Sequence, residues 1–416
     1  MVRSRSSIAL ILTLLLTMPG CFSGWASEPV IQKRHNISHV TLDGDALYFG
    51  AGYHLYRLDL ASRSLETIFS SDRLLIEQPI VAGGTVYFGG LQYTDEFGHH
   101  PAASTFFALD LGTRTVQWKF PLGAGGYGSY GTYPVLAGDR VLVCAREHLH
   151  CLDRQSGKEF WHVDNWMGRV SDGVKRSYVY NNSVYYMIAE ESVADSRKTD
   201  ENDGHWAEVA LDSGNRSMFR IADHPGTWND SSGTGNGALV DGVIYGVQRV
   251  DRFGALDLKT KKMLWEIQGT HFTQPAVDNE RVFTARQDSI QAVERNTGKV
   301  LWSVPLGDLA KLDLDRSKER PEFDYENYWS RRFVLSGDVL VVQGSQGIAA
   351  FRAADGKALW FAKSVDDGMS EPVIWRNMII ASSQQSCSIF ALDLQTGREI
   401  WRVAVPDCKI YQVMDD

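Results

Sequence analysis

The chain has 416 residues, of which 44% are hydrophobic and 11% aromatic, and this composition is typical of a folded globular protein. Its length would accommodate either several ordinary domains or one large repeat domain. The formal net charge of -9 argues against DNA and RNA as partners, because affinity for nucleic acid depends largely on clustered Lys and Arg.

Residues 1–26 have the pattern of an export signal peptide. Arg3 precedes an apolar run over residues 8–16, which is shorter than the roughly 20 residues needed to span a bilayer. Two processing sites compete: a lipoprotein box ending at Cys21, which would acylate that cysteine, and ordinary signal-peptidase cleavage after Ala26. Either site predicts an exported protein that is periplasmic, anchored to the outer membrane or secreted, with no transmembrane segment.

One phrase recurs along the rest of the chain: a short apolar run, usually an acidic residue, a turn and, in most copies, a tryptophan. The last copy reads ALDLQTGREIW from residue 391. The eight copies begin at residues 56, 108, 151, 210, 255, 292, 350 and 391. A second phrase, of the type PVLAGDRVLVC at residue 134, precedes each copy.

Each unit is predicted to form four short strands, A to D, because its short apolar runs are bounded by Gly, Asn and Asp. Eight successive four-stranded antiparallel sheets at this spacing predict an all-β fold, the eight-bladed β-propeller. The propeller is expected over residues 37–405, followed by a C-terminal tail over residues 406–416.

The recurring phrase has a predicted structural role. Its acidic residue, for instance Asp153 or Asp212, is expected to begin the turn between strands C and D and to bond the backbone ahead of it. A glycine such as Gly157 supplies the positive φ of that turn. The tryptophan on strand D, for instance Trp161, offers a broad apolar face to the neighbouring blade.

The order P-x-V-x-x-G-x-V-x-V, followed by A-L-D-x-x-T-G-x-x-x-W, resembles the PQQ-like propeller repeat across nearly all of residues 37–405. This family includes the quinoprotein dehydrogenases and the non-catalytic, BamB-like lipoproteins of outer-membrane β-barrel assembly. The length, export signal and compact blades look more like the second group.

The resemblance also implies what a quinone-dependent member should carry, typically an adjacent Cys-Cys pair, a tryptophan beneath the quinone and Glu, Asn and Asp around calcium. This sequence has no adjacent cysteines, and it lacks C-x-x-C-H for an attached haem. We therefore expect no cofactor, no metal and no catalytic residues.

Two disulfides are predicted from strand register, Cys144–Cys151 and Cys387–Cys408. In an antiparallel hairpin, paired residues have a constant index sum, and both pairs centre on an expected turn. An oxidising compartment favours such bonds, whereas the alternative is four free thiols in a reducing one.

Long connections between strands occur only from B to C and from D to the next A, which places them on one face of an up-and-down propeller. Loops on a rigid scaffold commonly carry binding, so this face is the predicted interaction surface. Its candidate aromatic residues are Trp166, Trp206, Trp228 and Trp329. The channel mouth is expected to carry Gln78, Tyr133, Gln274 and Glu371. The alternative is structural: the aromatics cover the channel, and the polar residues bond neighbouring strand ends.

Three functions fit these observations. The first is a non-catalytic envelope scaffold that binds a protein partner through the loop-rich face. The second is a quinone-dependent or sugar-active enzyme at the channel mouth, and the third is an extracellular glycan-binding propeller. The missing dehydrogenase motifs favour the first.

Overall fold

A computed structural model of the chain divides it into two units, Met1–Gln32 and Lys33–Asp416. The first unit, with the predicted signal peptide and Cys21, lies outside the described residues. The structure describes residues 37–72, 74–93, 101–123, 133–145, 148–164, 177–188, 205–219, 237–249, 252–269, 274–286, 289–305, 332–344, 347–363, 371–383, 386–406 and 408.

The described residues form 33 strands, which fall into eight consecutive sheets. Blade 1 contains β1 (Thr41–Asp43), β2 (Ala46–Ala51), β3 (His54–Asp59) and β4 (Leu65–Ser70). Blade 2 contains β5 (Leu75–Ile76), β6 (Ile80–Ala82), β7 (Thr85–Tyr93), β8 (Pro101–Asp110) and β9 (Val116–Gly123). Blade 3 contains β10 (Tyr133–Ala137), β11 (Arg140–Ala145), β12 (His148–Asp153) and β13 (Glu159–Asp164). Blade 4 contains β14 (Tyr178–Tyr180), β15 (Ser183–Ile188), β16 (His205–Ala210) and β17 (Arg216–Phe219).

The second half of the chain repeats the pattern. Blade 5 contains β18 (Ala238–Val240), β19 (Val243–Arg249), β20 (Arg252–Asp257) and β21 (Lys262–Gln268). Blade 6 contains β22 (Ala276–Val277), β23 (Arg281–Ala285), β24 (Ser289–Glu294) and β25 (Val300–Pro305). Blade 7 contains β26 (Arg332–Ser336), β27 (Val339–Gly344), β28 (Gly347–Arg352) and β29 (Ala358–Lys363). Blade 8 contains β30 (Val373–Trp375), β31 (Met378–Ser383), β32 (Ser388–Asp393) and β33 (Glu399–Ala404).

Strand order follows chain order within the blades, and neighbouring strands are antiparallel. Blade 2 differs by one strand, since β5 and β6 both pair with β7. The predicted all-β, eight-bladed propeller is confirmed. No helix long and apolar enough to cross a membrane occurs in the part of the chain that the structure describes.

The hydrophobic core consists of layers between blades. Period-2 alternation places successive side chains on opposite faces of a strand, so each sheet offers one apolar face to the blade before it and one to the blade after it. Between blades 6 and 7, for example, Phe283 and Ile290 pack with Leu340 and Phe351, all fully buried or nearly so. A further layer joins blade 8 to blade 1, where Ile380 and Ile389 of blade 8 share one cluster with blade 1 side chains. This last layer closes the ring.

The recurring phrase forms a contact between neighbouring blades. The indole of a strand D tryptophan lies on the glycine of the next blade's C–D turn, where an added Cβ would come within 2.6 Å of the ring in the case of Trp265 and Gly298. The indole Nε1–H of Trp265 donates to the Arg295 carbonyl, 2.8 Å away. The same pairing joins Trp118 to Gly157, Trp161 to Gly214, Trp302 to Gly356 and Trp360 to Gly397.

Two interfaces lack a tryptophan and use a cation instead. Blade 1 has Thr67 at the tryptophan position, and the next blade's turn has Arg114, with φ +59°, in place of glycine. The Arg114 guanidinium reaches back to the Glu66 carboxylate at 2.8 Å. After blade 4, Lys261 takes the same place with φ +57° and pairs with Glu208 at 2.7 Å. Turn residue and preceding strand therefore match one another across each of these interfaces.

The acidic residue acts as predicted in most turns. The Asp153 carboxylate accepts hydrogen bonds from the Ser156 hydroxyl at 2.6 Å and the Ser156 N–H at 2.7 Å. These bonds lower the pKa of Asp153 below its ordinary value. The expectation for Asp212 is wrong, because Ala210 occupies the first turn position and its carbonyl accepts from the Gly214 N–H. Asp212 instead accepts from Asn182 and Arg140.

The last blade carries the Cys387–Cys408 disulfide, as predicted, with a Cα–Cα distance of 5.4 Å. The two cysteines are not directly opposed, since the Val405 N–H donates to the Cys387 carbonyl and Cys408 follows three residues later. Both cysteines are buried in the layer that joins blades 8 and 1. That closing layer also contains a hydrogen bond from Trp375 Nε1 to the Asp45 carboxylate at 2.8 Å.

The predicted Cys144–Cys151 disulfide is wrong. Strand β11 pairs with β12 so that Cys144 opposes Leu149 and Cys151 opposes Leu142. The turn is therefore centred one residue earlier than the index sum required. Cys151 is a free, fully buried thiol, and burial raises its pKa to about 11.

Candidate functional site

The connections that leave the described strands are strongly unequal at the two ends of the blades. At one end, A–B and C–D turns are short, as between Ala137 and Arg140. At the other end, some connections are long. Residues 189–204 form a B–C connection and residues 306–331 a D–A connection, and both ranges lie outside the described residues. We call this second end the loop-rich end. Because up-and-down topology brings these connections to the same end, the strand arrangement agrees with the predicted surface.

Three polar side chains meet at the loop-rich end where the inner strands of blades 6, 7 and 8 begin. Arg332, the first residue of β26, donates from its guanidinium to the Gln274 side-chain oxygen at 2.5 Å. The same group forms an ion pair with Glu371 at 2.9 Å. Arg332 is 20% exposed and Glu371 27% exposed, so the pair is partly shielded from water. We call Gln274, Arg332 and Glu371 the rim cluster.

The structure thus brings together two of the four predicted channel-mouth residues, Gln274 and Glu371, through an arginine that sequence reasoning missed. Its signal was positional, since Arg332 begins an A strand, and Gln274 and Glu371 each lie two residues before one. Gln78 lies half-buried before β6 in blade 2. Tyr133 is the first residue of β10, and its side chain lies outside the described residues.

Gln343 adds a buried amide to this region. It is directly opposite Arg332 in the β26–β27 pair, and it is 3% exposed. Its side-chain oxygen has no hydrogen-bond partner among the described residues. Such an orphaned acceptor is costly in a folded protein. Nothing in the sequence pattern distinguished this residue from the apolar residues of the strand.

One of the four tryptophans predicted for the binding surface lies among the described residues. Trp166, Trp228 and Trp329 lie outside the described residues. Trp206 is described, and its assignment to the binding surface is wrong. It belongs to β16, is 2% exposed and packs in the layer between blades 4 and 5, with its ring centroid 6.2 Å from that of Tyr178.

The rim cluster can form hydrogen bonds and ion pairs, and its charges are paired within it. The group of described residues that could hold a metal ion lies elsewhere, on the outer strands of blade 3, and consists of His150, Glu159 and His162. Burial lowers the pKa of His150, with the hydrogen bond to Glu159 acting in the opposite direction.

Eight sheets, closed by apolar layers and docked by tryptophans on glycine turns, define a β-propeller built from one repeated unit. The family described as Outer membrane protein assembly factor BamB matches residues 102–217 and 218–405, which together are more than half of the chain. The chain belongs to this family.

Solved structures share the architecture. BamB from Moraxella catarrhalis superposes with a TM-score of 0.57 at 14% identity, over 84% of this chain and 96% of that one. The computationally designed protein Ika8 superposes with a TM-score of 0.58 at 12% identity, over 84% and 94% of the two chains. Quinohemoprotein alcohol dehydrogenase from Comamonas testosteroni gives a TM-score of 0.56 at 14% identity, over 80% and 67%. At these identities the likeness concerns the fold alone.

A curated relative is similar in sequence over a shorter stretch. Lupanine 17-hydroxylase [cytochrome c] from Pseudomonas sp is 30% identical over an alignment of 171 residues that covers 36% of this chain. The chain spans 23% of that relative's length.

Proposed function

We propose that this protein is a non-catalytic, exported binding or scaffold protein of the cell envelope, which engages a protein partner through the loop-rich end of its propeller. The observation that carries the proposal is the separation of long connections from short turns. A ring closed by apolar layers fixes the strand ends from which these connections leave around one end, which is the arrangement of a binding surface on a rigid scaffold.

Membership of the family described as Outer membrane protein assembly factor BamB supports a role in the envelope. The predicted signal peptide is in agreement with it, whether processing acylates Cys21 or removes it. The rim cluster supports binding rather than chemistry, because Arg332 is held by Gln274 and Glu371 instead of being presented to a reacting group.

Site-specific photocrosslinking in cells tests the proposal. A photoreactive amino acid is placed at Asp72 or Gln268, which are exposed at the loop-rich end. Matched positions at the opposite end are Gln155, in a C–D turn, and Glu280, in an A–B turn, and both are also exposed. We expect discrete crosslinks to one envelope protein from the first pair and none from the second. Equal crosslinking from both ends would contradict the proposal.

A quinone-dependent enzyme is the second candidate, and the similarity to lupanine 17-hydroxylase [cytochrome c] favours it. Glu371 is the one carboxylate among the four predicted channel-mouth residues, and it is already paired with Arg332 rather than open to calcium. Titration of the purified protein with PQQ and calcium separates the two candidates. The scaffold proposal predicts an unchanged absorbance spectrum of PQQ and no dye-linked alcohol oxidation, whereas saturable binding with turnover would support the enzyme.

A glycan-binding role, the third function, is tested by a polysaccharide array with the same protein. Saturable binding there, with no protein crosslink from Asp72 or Gln268, would replace the proposed partner by a sugar.

A further inference from the structure

Blade 3 carries a group of histidines and carboxylates on its two outer strands that the propeller fold does not require. Strands β12 and β13 pair His150 directly with His162, and His148 with Asp164. Directly opposed residues project from the same face of an antiparallel pair, and residues two apart in one strand share that face. Three imidazoles are therefore gathered on one side of this sheet. We call His148, His150, Glu159, His162 and Asp164 the blade 3 cluster.

The distances within the cluster suit metal ligation. One Glu159 oxygen lies 2.8 Å from His150 Nδ1 and 3.3 Å from His162 Nδ1. The three potential ligand atoms all lie within 4.8 Å of one another. In a tetrahedral zinc site with bonds of about 2.0–2.2 Å, ligand atoms are roughly 3.4 Å apart. Small side-chain movements would therefore place all three atoms around one ion.

The centroids of the three imidazole rings lie slightly farther apart than those of rings that bind one ion. Ring centroids are 5.6 Å apart for His148 and His150, 6.0 Å for His148 and His162, and 5.9 Å for His150 and His162. Three imidazoles around one tetrahedral zinc would have centroids roughly 5 Å apart. His148 is a further imidazole on the same face, and its side chain would have to rotate to bring a nitrogen to the ion.

His150 is held rigidly for such a role. It is 8% exposed, and its ring meets the edge of Phe120 from blade 2 with centroids 5.3 Å apart. Its Nε2 is buried without a hydrogen-bond partner among the described residues. The Nδ1 that faces Glu159 is the candidate ligand atom, and the contact with Phe120 positions the ring that carries it.

The surrounding carboxylates complete the arrangement. Asp164 lies 2.9 Å from His148 Nδ1, an arrangement that orients the ring and leaves its other nitrogen to act as a ligand. Two carboxylates, Glu159 and Asp164, would balance the charge of a divalent ion. His162 is 54% exposed and His148 41% exposed, so the ion would sit at the surface with access to solvent.

We propose that the blade 3 cluster is a binding site for one divalent transition-metal ion of the zinc class, with His150, Glu159 and His162 as protein ligands and His148 as the fourth. Zinc accepts both imidazole and carboxylate ligands, whereas calcium and magnesium prefer sites made of oxygen ligands alone. The inference is independent of the proposed partner at the loop-rich end.

Zinc titration of the full-length protein, purified without a histidine tag and stripped with a chelator, tests the inference. Affinity is measured by competition with a chromophoric zinc indicator, and Co²⁺ absorption reports the ligand geometry. We expect one equivalent of Zn²⁺ to bind, with at least roughly 10-fold weaker affinity in His162→Ala and Glu159→Gln. At a fixed zinc concentration, zinc should also raise the thermal midpoint of the wild type more than that of these variants.

His54→Ala is the matched control. His54 occupies in blade 1 the register position that His148 has in blade 3, since it opposes Ser70 as His148 opposes Asp164. Its neighbours across the strand are Ser70 and Thr67 rather than further ligands, so this variant should bind zinc as the wild type does. Far-ultraviolet circular dichroism verifies that each variant is folded. Equal affinity in the wild type and His162→Ala, or no saturable binding by the folded wild type, would overturn the inference.

Discussion

Replacing Gly298 by alanine should destabilise the protein far more than the same change at a glycine with no tryptophan above it. Gly298 has φ +70°, and the new Cβ would lie 2.6 Å from the Trp265 ring. The positive φ costs about 1–2 kcal/mol for alanine. The ring must also move, which breaks the Nε1 hydrogen bond to the Arg295 carbonyl and opens the layer between blades 5 and 6, at a cost of a further ~2–3 kcal/mol.

Gly337→Ala is the control, because Gly337 has φ +57° and no atom within 4 Å of an added Cβ. We expect it to lose about 1–2 kcal/mol, and Gly298→Ala about 3–5 kcal/mol. Urea denaturation, followed by circular dichroism, gives the two midpoints. In the double variant Trp265→Ala/Gly298→Ala the clash is absent, so its loss should fall short of the sum of the single losses by at least ~1 kcal/mol. Equal losses in the two glycine variants would refute the docking explanation.

Three further predictions concern the rim, the disulfide and acid stability. Arg332→Leu should lower the free energy of unfolding by about 1–2 kcal/mol, because it removes the ion pair with the partly buried Glu371 carboxylate, and Glu371→Gln in the same chain should restore part of the loss in urea denaturation. Reduction of the Cys387–Cys408 disulfide, which joins residues 21 apart, should cost about 3 kcal/mol and lower the thermal midpoint; an unchanged midpoint would argue against its contribution to ring closure. Hydrogen bonds from the Ser156 and Thr396 hydroxyls lower the pKa of Asp153 and Asp393 below their ordinary value of 3.8. The unfolded chain therefore binds protons first on acidification. The stabilising effect of the two carboxylates is present at neutral pH and is lost as the pH falls below about 4 toward their depressed pKa values. Between pH 7 and pH 3, the urea midpoint of Asp153→Asn should fall less than that of the wild type.

The blade count could be predicted because most blade interfaces use the same chemistry. At five interfaces a strand D tryptophan lies on the turn glycine of the next blade. Four of the eight copies of the phrase therefore carry a glycine with a tryptophan four residues later, as in Gly157 and Trp161. The exceptions follow the same relation. Blade 4 carries Met218 where most blades carry tryptophan, and the next blade carries Lys261 where most turns have glycine.

Asp212 was assigned to the first turn position because it is the acidic residue before Gly214. In the structure the first turn residue lies four residues before the glycine, as Asp153 does before Gly157, and in blade 4 that residue is Ala210.

Contacts between blades and details of register could not be predicted from one sequence. The Cys144–Cys151 expectation failed because a shift of the turn by one residue changes which side chains are opposed. Trp206 was placed on a loop because its strand was expected to begin later, whereas β16 begins at His205. Arg332 joins residues from the preceding and the following blade, a relation that only the closed ring creates.

Hydrogen–deuterium exchange of the purified protein, alone and with the partner captured by crosslinking, tests the central claim most directly. We expect slower exchange at the strand ends next to the long connections, including the segments around Gln78, Gln274 and Glu371, and unchanged exchange in the turns around Asp139 and Gln155. Protection confined to those short turns, or no protection at either end, would contradict a partner bound at the loop-rich end.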